Sequence, residues 1–206
     1  GRTWLELLHA ELKPGVVRQI SLGCVSSSTG NSNLREYLNR LLGSNNDPVG
    51  QKRDLYLNLV SGCSMLISGD PCLDRGFAAA KMNIQALEFS HPLLGLGIFS
   101  GLPWSTIFKG RDNCLVTLAM NTYGDFEAVK KILKTLEARK ARLPGFSMGF
   151  RYYSGEMPDK LYLDGSATFD GAEVTPLFVL AVDKYTRWSG DRDFLQYMRH
   201  AVREAT

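Results

Sequence analysis

The chain has 206 residues, 44% hydrophobic and 22% charged, with a net charge of +3. That composition excludes an intrinsically disordered chain, and no apolar run approaches the ~18 residues that cross a bilayer. The length suffices for one domain with its own core, or for part of a larger one. A start at Gly1-Arg2-Thr3-Trp4 without a leader pattern, and an end at Thr206 inside a helical pattern, are what a piece of a longer chain would show.

The first 65 residues give the least. Apolar spacing predicts helices over 4–12 and 34–42, with a polar loop at 26–31 between them and another at 43–50. From there on, the dipeptide Gly-Asp recurs between helical patterns: Gly69-Asp70, Gly124-Asp125 and Gly190-Asp191. Glycine suits the left-handed residue that ends a helix, and Asp caps the next one. Pro71 then takes the first helical position, where its missing N–H costs nothing. Each Gly-Asp is therefore expected to be the corner of a helix hairpin.

The flanks carry helical stripes. Leu115, Leu118 and Ala119 precede the second corner, and Phe126, Val129, Ile132, Leu133 and Leu136 follow it. Phe178, Val182 and Tyr185 precede the third, and Phe194, Leu195, Met198 and Val202 follow. An all-α array of helix hairpins is the expected fold, with strands few and a short hairpin around Ser154-Gly155. If the array is only part of a ring, apolar faces should lie open at Ala201, Val202 and Ala205.

The basic cluster Lys130, Lys131, Lys134, Arg139, Lys140 and Arg142 reads as the wet face of one helix, so no nucleic-acid partner is expected. Cys24, Cys63, Cys72 and Cys114 lack metal or redox spacing and read as buried free thiols of a reducing compartment. His9, His91 and His200 are far apart, so neither a metal nor another cofactor is implied.

Two segments interrupt the helices. The stretch 95–112 is rich in glycine, includes Trp104, and ends in Arg111-Asp112 where a helix begins. The stretch 144–175 interleaves Arg151, Glu156, Asp159, Asp164, Asp170 and Glu173 with Tyr152, Tyr153, Tyr162 and Phe169. Flat rings cover the apolar face of a sugar, Arg and carboxylates bind its hydroxyls, and two carboxyls supply acid and base. A tyrosine-rich connecting loop with solvated acids would have the same composition.

Two motifs sharpen the choice. Gly101-Leu102-Pro103-Trp104 with Gly110-Arg111-Asp112, and Glu173-Val174-Thr175-Pro176-Leu177-Phe178 followed by Tyr185, Trp188 and Ser189-Gly190-Asp191, resemble the linked signatures of glycogen-debranching enzymes. The likeness covers roughly residues 70–206. It implies a partial (α/α)6 toroid, with 66–206 the front of a catalytic domain and 1–65 a helical segment of open assignment.

It further implies a cytoplasmic, inverting α-1,6-glucosidase acting on α-glucans. Arg111 and Asp112 would grip the terminal glucose and Glu173 would donate the proton. The general base would come from later in the chain. Two departures stand out: Lys109 replaces the usual aromatic before Gly-Arg-Asp, and the chain spans about half a toroid.

On the residues themselves, Asp170 is the alternative acid, and Glu156 is either a sugar contact or a turn residue. Glu173 lies just ahead of a predicted helix capped by Thr175 and opened by Pro176. That position favours its anion, so burial and a partner carboxylate would be needed to keep it protonated. A glucoamylase-, trehalase- or mannosidase-like hydrolase on the same toroid, or a non-catalytic carbohydrate-binding module, are the competing functions.

Overall fold

The computed structural model describes residues 47–205 and, before them, Pro14, Gly15, Arg35, Glu36, Leu38, Asn39 and Gly43. Arg35, Glu36, Leu38 and Asn39 are helical. The remainder of the helices expected over 4–12 and 34–42, the loop 26–31, His9 and Cys24 lie outside the described residues. The chain divides into two compact units, Gly1–Asp54 and Leu55–Thr206. In the first, Asp47 accepts the N–H of Gly50 at 2.8 Å and opens helix α1, Pro48–Gly62, within the stretch expected to be loop.

The second unit is mixed rather than all-α. After α1 come helix α2 (Pro71–Leu87), strands β1 (Glu88–His91), β2 (Gly95–Gly101) and β3 (Ser105–Lys109), and helices α3 (Gly110–Tyr123) and α4 (Phe126–Ala138). Short strands β4 (Gly145–Ser147), β5 (Phe150–Tyr152), β6 (Lys160–Leu161) and β7 (Ala167–Thr168) precede helices α5 (Val174–Ser189) and α6 (Arg192–Glu204). An antiparallel sheet runs in the order β1-β2-β3-β6-β7, and β4-β5 forms a separate hairpin.

The expectation of an all-α chain is thus corrected. Helical periodicity hid the sheet because much of it lies in what looked like a glycine-rich loop. Gly97 is required there: the rings of Phe89 and Phe108 fill the space a Cβ would need. Phe89 also stacks on Phe99 with centroids 4.0 Å apart. The expected hairpin at Ser154-Gly155 lies instead at 145–152, turning at Met148 and Gly149, both with positive φ.

Two of the three Gly-Asp corners form as expected. Gly124 (φ +89°) and Gly190 (φ +71°) end α3 and α5 left-handed, while Asp125 and Asp191 cap α4 and α6. Gly69 differs. Helix α1 stops at Gly62, and an irregular stretch precedes Gly69, so this dipeptide opens α2 without closing a hairpin. Asp70 still caps α2 through the N–H of Cys72 at 2.8 Å.

The core joins Ile98, Phe108 and Leu161 of the sheet to residues of α3, α4, α5 and α6. Val129, Ile132, Leu133 and Leu136 are buried as their spacing predicts, as are Phe178, Val182, Tyr185, Phe194 and Met198. Helix α3 departs from its predicted face. Leu115 is exposed, and the buried positions are Gly110, Asn113, Cys114, Thr117, Met120, Asn121 and Tyr123. Asn113 explains this, because its amide is consumed by the Ile98 backbone. Ala201 is likewise buried rather than open, and Leu195 is exposed.

The basic cluster is less wet than its spacing suggested. Lys130 pairs with Asp191 at 2.6 Å, Lys134 lies over the Tyr197 ring, and Lys140 is held by Glu137 and Glu204 beyond the end of α4. No described helix is long and apolar enough to cross a membrane.

Candidate functional site

Helices α3 and α5 begin side by side. Gly110, the first residue of α3, donates its N–H to the Asp159 carbonyl at 2.7 Å. A Cβ on Gly110 would run into the Pro158 carbonyl oxygen and the Val174 side chain, so only glycine lets the two helix starts approach this closely. Arg111 and Glu173, far apart in sequence, therefore meet: Arg111 Nη1 lies 3.8 Å from Glu173 Oε1. Arg111 Nε is also 3.4 Å from Asp112 Oδ1. The cluster is open to water, with Arg111, Asp112 and Glu173 side chains 52%, 30% and 49% exposed.

Glu173 itself is the residue ahead of α5 and caps it with no side-chain hydrogen bond. Thr175 is not the cap that was expected. It lies one residue inside the helix, and its hydroxyl accepts the N–H of Met157 at 3.0 Å, pinning the connecting segment to α5. Neither the burial nor the partner carboxylate expected around Glu173 is found among the described residues. It is half exposed, and its charged partner is a guanidinium rather than a carboxylate.

Asp170 and Glu156 face another space. Phe150, Arg151, Glu156, Phe169, Asp170 and Thr175 line a cavity of about 370 Å³ beside the start of α5. Its wall is stiffened by Tyr152 stacked on Phe169 at 4.7 Å, and Arg151 lies over the Tyr153 ring at 5.1 Å. Glu156 Oε1 accepts the N–H of Tyr153 at 3.0 Å, so its turn role and its place on the cavity wall coexist.

Asp170 is held from behind. Lys160 Nζ lies 2.8 Å from Asp159 Oδ2 and 3.5 Å from Asp170 Oδ2. The second oxygen, Asp170 Oδ1, and the neighbouring Thr168 hydroxyl are both buried without closing a hydrogen bond. Burial pushes the Asp170 carboxyl up, but its own backbone N–H and the Lys160 ammonium outweigh it, leaving it below the ordinary carboxylate range. Such a group is an anion at neutral pH and a poor proton donor.

The six residues singled out from the sequence thus fall into three places. Arg111, Asp112 and Glu173 form one cluster, and Glu156 and Asp170 share the adjacent cavity. Trp104 stands apart in the turn before β3, at the other end of that strand from Arg111, roughly 15 Å by strand geometry. Its indole is 94% exposed. Lys160 escaped the sequence reading. Its one signal there is that it is the cation amid the acids Glu156, Asp159, Asp164, Asp170 and Glu173. No grouping of His, Cys, Asp and Glu among the described residues would hold a metal ion.

No family model, curated protein or solved structure matches this chain.

Proposed function

We propose that the chain is part of a glycoside hydrolase of the (α/α)6 class, acting on α-glucans in the manner of a debranching α-1,6-glucosidase with inversion. The observation that carries the reading is the meeting of Arg111, Asp112 and Glu173. These are the residues of two separate motifs to which the resemblance assigns sugar binding and proton donation. The two Gly-Asp hairpins, α3-α4 and α5-α6, are the units such a ring would repeat.

Chemically, the fork of Arg111 and the carboxylate of Asp112 offer a donor and an acceptor to vicinal sugar hydroxyls. A sugar bound there engages the guanidinium and covers Glu173. Glu173 then gives a proton to the departing glycosidic oxygen. Inversion also needs a base that activates water on the opposite face of the ring. Asp170, already an anion, and Glu156 are the nearby carboxylates; the resemblance places the base later in the chain.

A non-catalytic carbohydrate-binding module is favoured by one observation, the half-exposed Glu173 beside Arg111. The test is to titrate the 206-residue chain with maltotetraose and a branched limit dextrin while following released glucose and its anomer by NMR. Binding is expected with either ligand, and its absence with both overturns the glucan reading. Any turnover of unactivated glucan should fall about 100-fold in Glu173→Gln. Turnover unaffected by that change removes Glu173 as the acid.

A further inference from the structure

Lys160 lies in β6 at a junction of backbone and charge. It pairs across the ladder with Lys109 on one side and Thr168 on the other. Its neighbour Asp159 accepts the N–H of Gly110, which opens the helix carrying Arg111 and Asp112. Asp159 also donates its own N–H to the Thr168 carbonyl at 2.8 Å. A Cβ on Gly171 would come within 2.9 Å of Asp159 Oδ1, so the turn leading to Glu173 closes directly on that carboxylate. The ammonium of Lys160 then joins the Asp159 and Asp170 carboxylates, the second of which lines the cavity.

We infer that Lys160 is a positioning residue: it fixes the Asp170 carboxylate at the cavity wall and ties that wall to the strand that seats Arg111 and Asp112. The inference rests on the glucan reading for its substrate class, with Asp170 serving as an oriented acceptor for a sugar hydroxyl. One flexible cation between two carboxylates accounts for the whole arrangement. Without it, Asp159 and Asp170 would repel each other across the turn that carries Glu173. The other charged groups facing Asp170 are Arg151 and Glu156, across the cavity. Among the described residues Lys160 is the cation within ion-pair distance of Asp170.

The experiment follows the Asp170 side-chain carboxyl by carbon NMR through a pH titration, its signal assigned by Asp170→Asn. Lys160→Met should move the midpoint upward, and Lys160→Arg should restore most of the shift. Asp159→Asn removes the competing anion and should move it the opposite way, downward. This variant keeps the test alive if Lys160→Met fails to fold. In parallel, maltotetraose affinity at neutral pH should fall about 10-fold in Lys160→Met, the scale of one charge-assisted hydrogen bond.

An unmoved Asp170 midpoint in both Lys160→Met and Asp159→Asn overturns the inference, whatever the sugar does. A moved midpoint with unchanged maltotetraose affinity overturns the positioning role. If the unaltered chain binds no maltotetraose, the glucan reading fails, and the titration alone then decides whether Lys160 holds Asp170.

Discussion

Asn113 and Ile98 form a two-way lock: the Asn113 amide accepts the Ile98 N–H at 2.8 Å and donates to the Ile98 carbonyl at 3.0 Å. The same amide nitrogen also reaches the Lys109 carbonyl at 2.9 Å. A helix side chain thus completes the hydrogen bonding of a strand, at a position fully buried. Asn113→Ala strands both Ile98 groups without water. The expected loss is about 2–4 kcal/mol in chemical denaturation, since each buried polar group left unpaired costs about 1–3 kcal/mol. A loss under 0.5 kcal/mol would mean that the strand finds other partners.

Gly110→Ala tests whether the two helix starts must touch. The new methyl meets the Pro158 backbone oxygen, which cannot swing aside as a side-chain tip can. A cost of about 1–3 kcal/mol is expected in urea unfolding, the usual range for overpacking. The same change should weaken maltotetraose binding, because it separates Arg111 from Glu173. Full stability together with full affinity would contradict the close approach.

Arg111→Lys separates sugar recognition from helix capping. Lysine keeps the charge at the start of α3 and loses the planar fork. Affinity for a glucose-configured iminosugar should drop by roughly 1–3 kcal/mol in calorimetry. The melting temperature should barely move, since an exposed pair with Asp112 contributes little. A lower melting temperature with unchanged affinity would assign Arg111 to capping instead.

Asp191 should make stability acid-sensitive. Its carboxylate takes the Lys130 ammonium first, then the Phe194 N–H and the Tyr185 hydroxyl, and these hold its pKa below the ordinary value. A depressed folded value means the stabilisation is complete above the unfolded pKa and is lost as pH falls through the folded one. Asp191→Ala should therefore lower the melting temperature at pH 7, with the gap to the unaltered chain closing at strongly acidic pH. Asp191→Asn, which still caps, should recover part of the difference. A gap independent of pH would show that charge plays no part.

The legible portion of the fold was the portion governed by short-range rules. Gly124-Asp125 and Gly190-Asp191 announced their corners because a left-handed glycine and a capping carboxylate are local requirements. The Val129-to-Leu136 stripe is buried for the same reason, a period of 3.6 against one neighbour. The sheet was hidden, because β2 and β3 are held by distant partners: Phe108 by Leu161 across the ladder, Ile98 by Asn113 from a helix. The face of α3 was misjudged on the same ground, since a buried Asn is paid for only by a strand that the helix's own residues do not reveal.

The site was legible in its motif residues and illegible in its support. Arg111, Asp112 and Glu173 belong to two motifs, and the chain brings them together. Trp104 shares the first motif yet stands at the far end of β3, because intervening residues form a strand rather than a coil. Lys160 belongs to no motif. Its role follows from which carboxylates the β3-β6-β7 ladder delivers to it, a long-range matter.

Lys81 offers a built-in reporter of how this unit opens. Its side chain is 1% exposed, gives hydrogen bonds to the carbonyls of Val60 in the last turn of α1 and Ser64 just after it, and passes near the rings of Phe77 and Tyr123. An acylating reagent in water meets the other described lysines far sooner than this one. Its modification must wait until the 60–64 segment lifts away from α2, so the labelling rate at Lys81, read by mass spectrometry, measures that local opening. Labelling of Lys81 as fast as Lys52, which is exposed, would mean that the end of α1 is already undocked in solution.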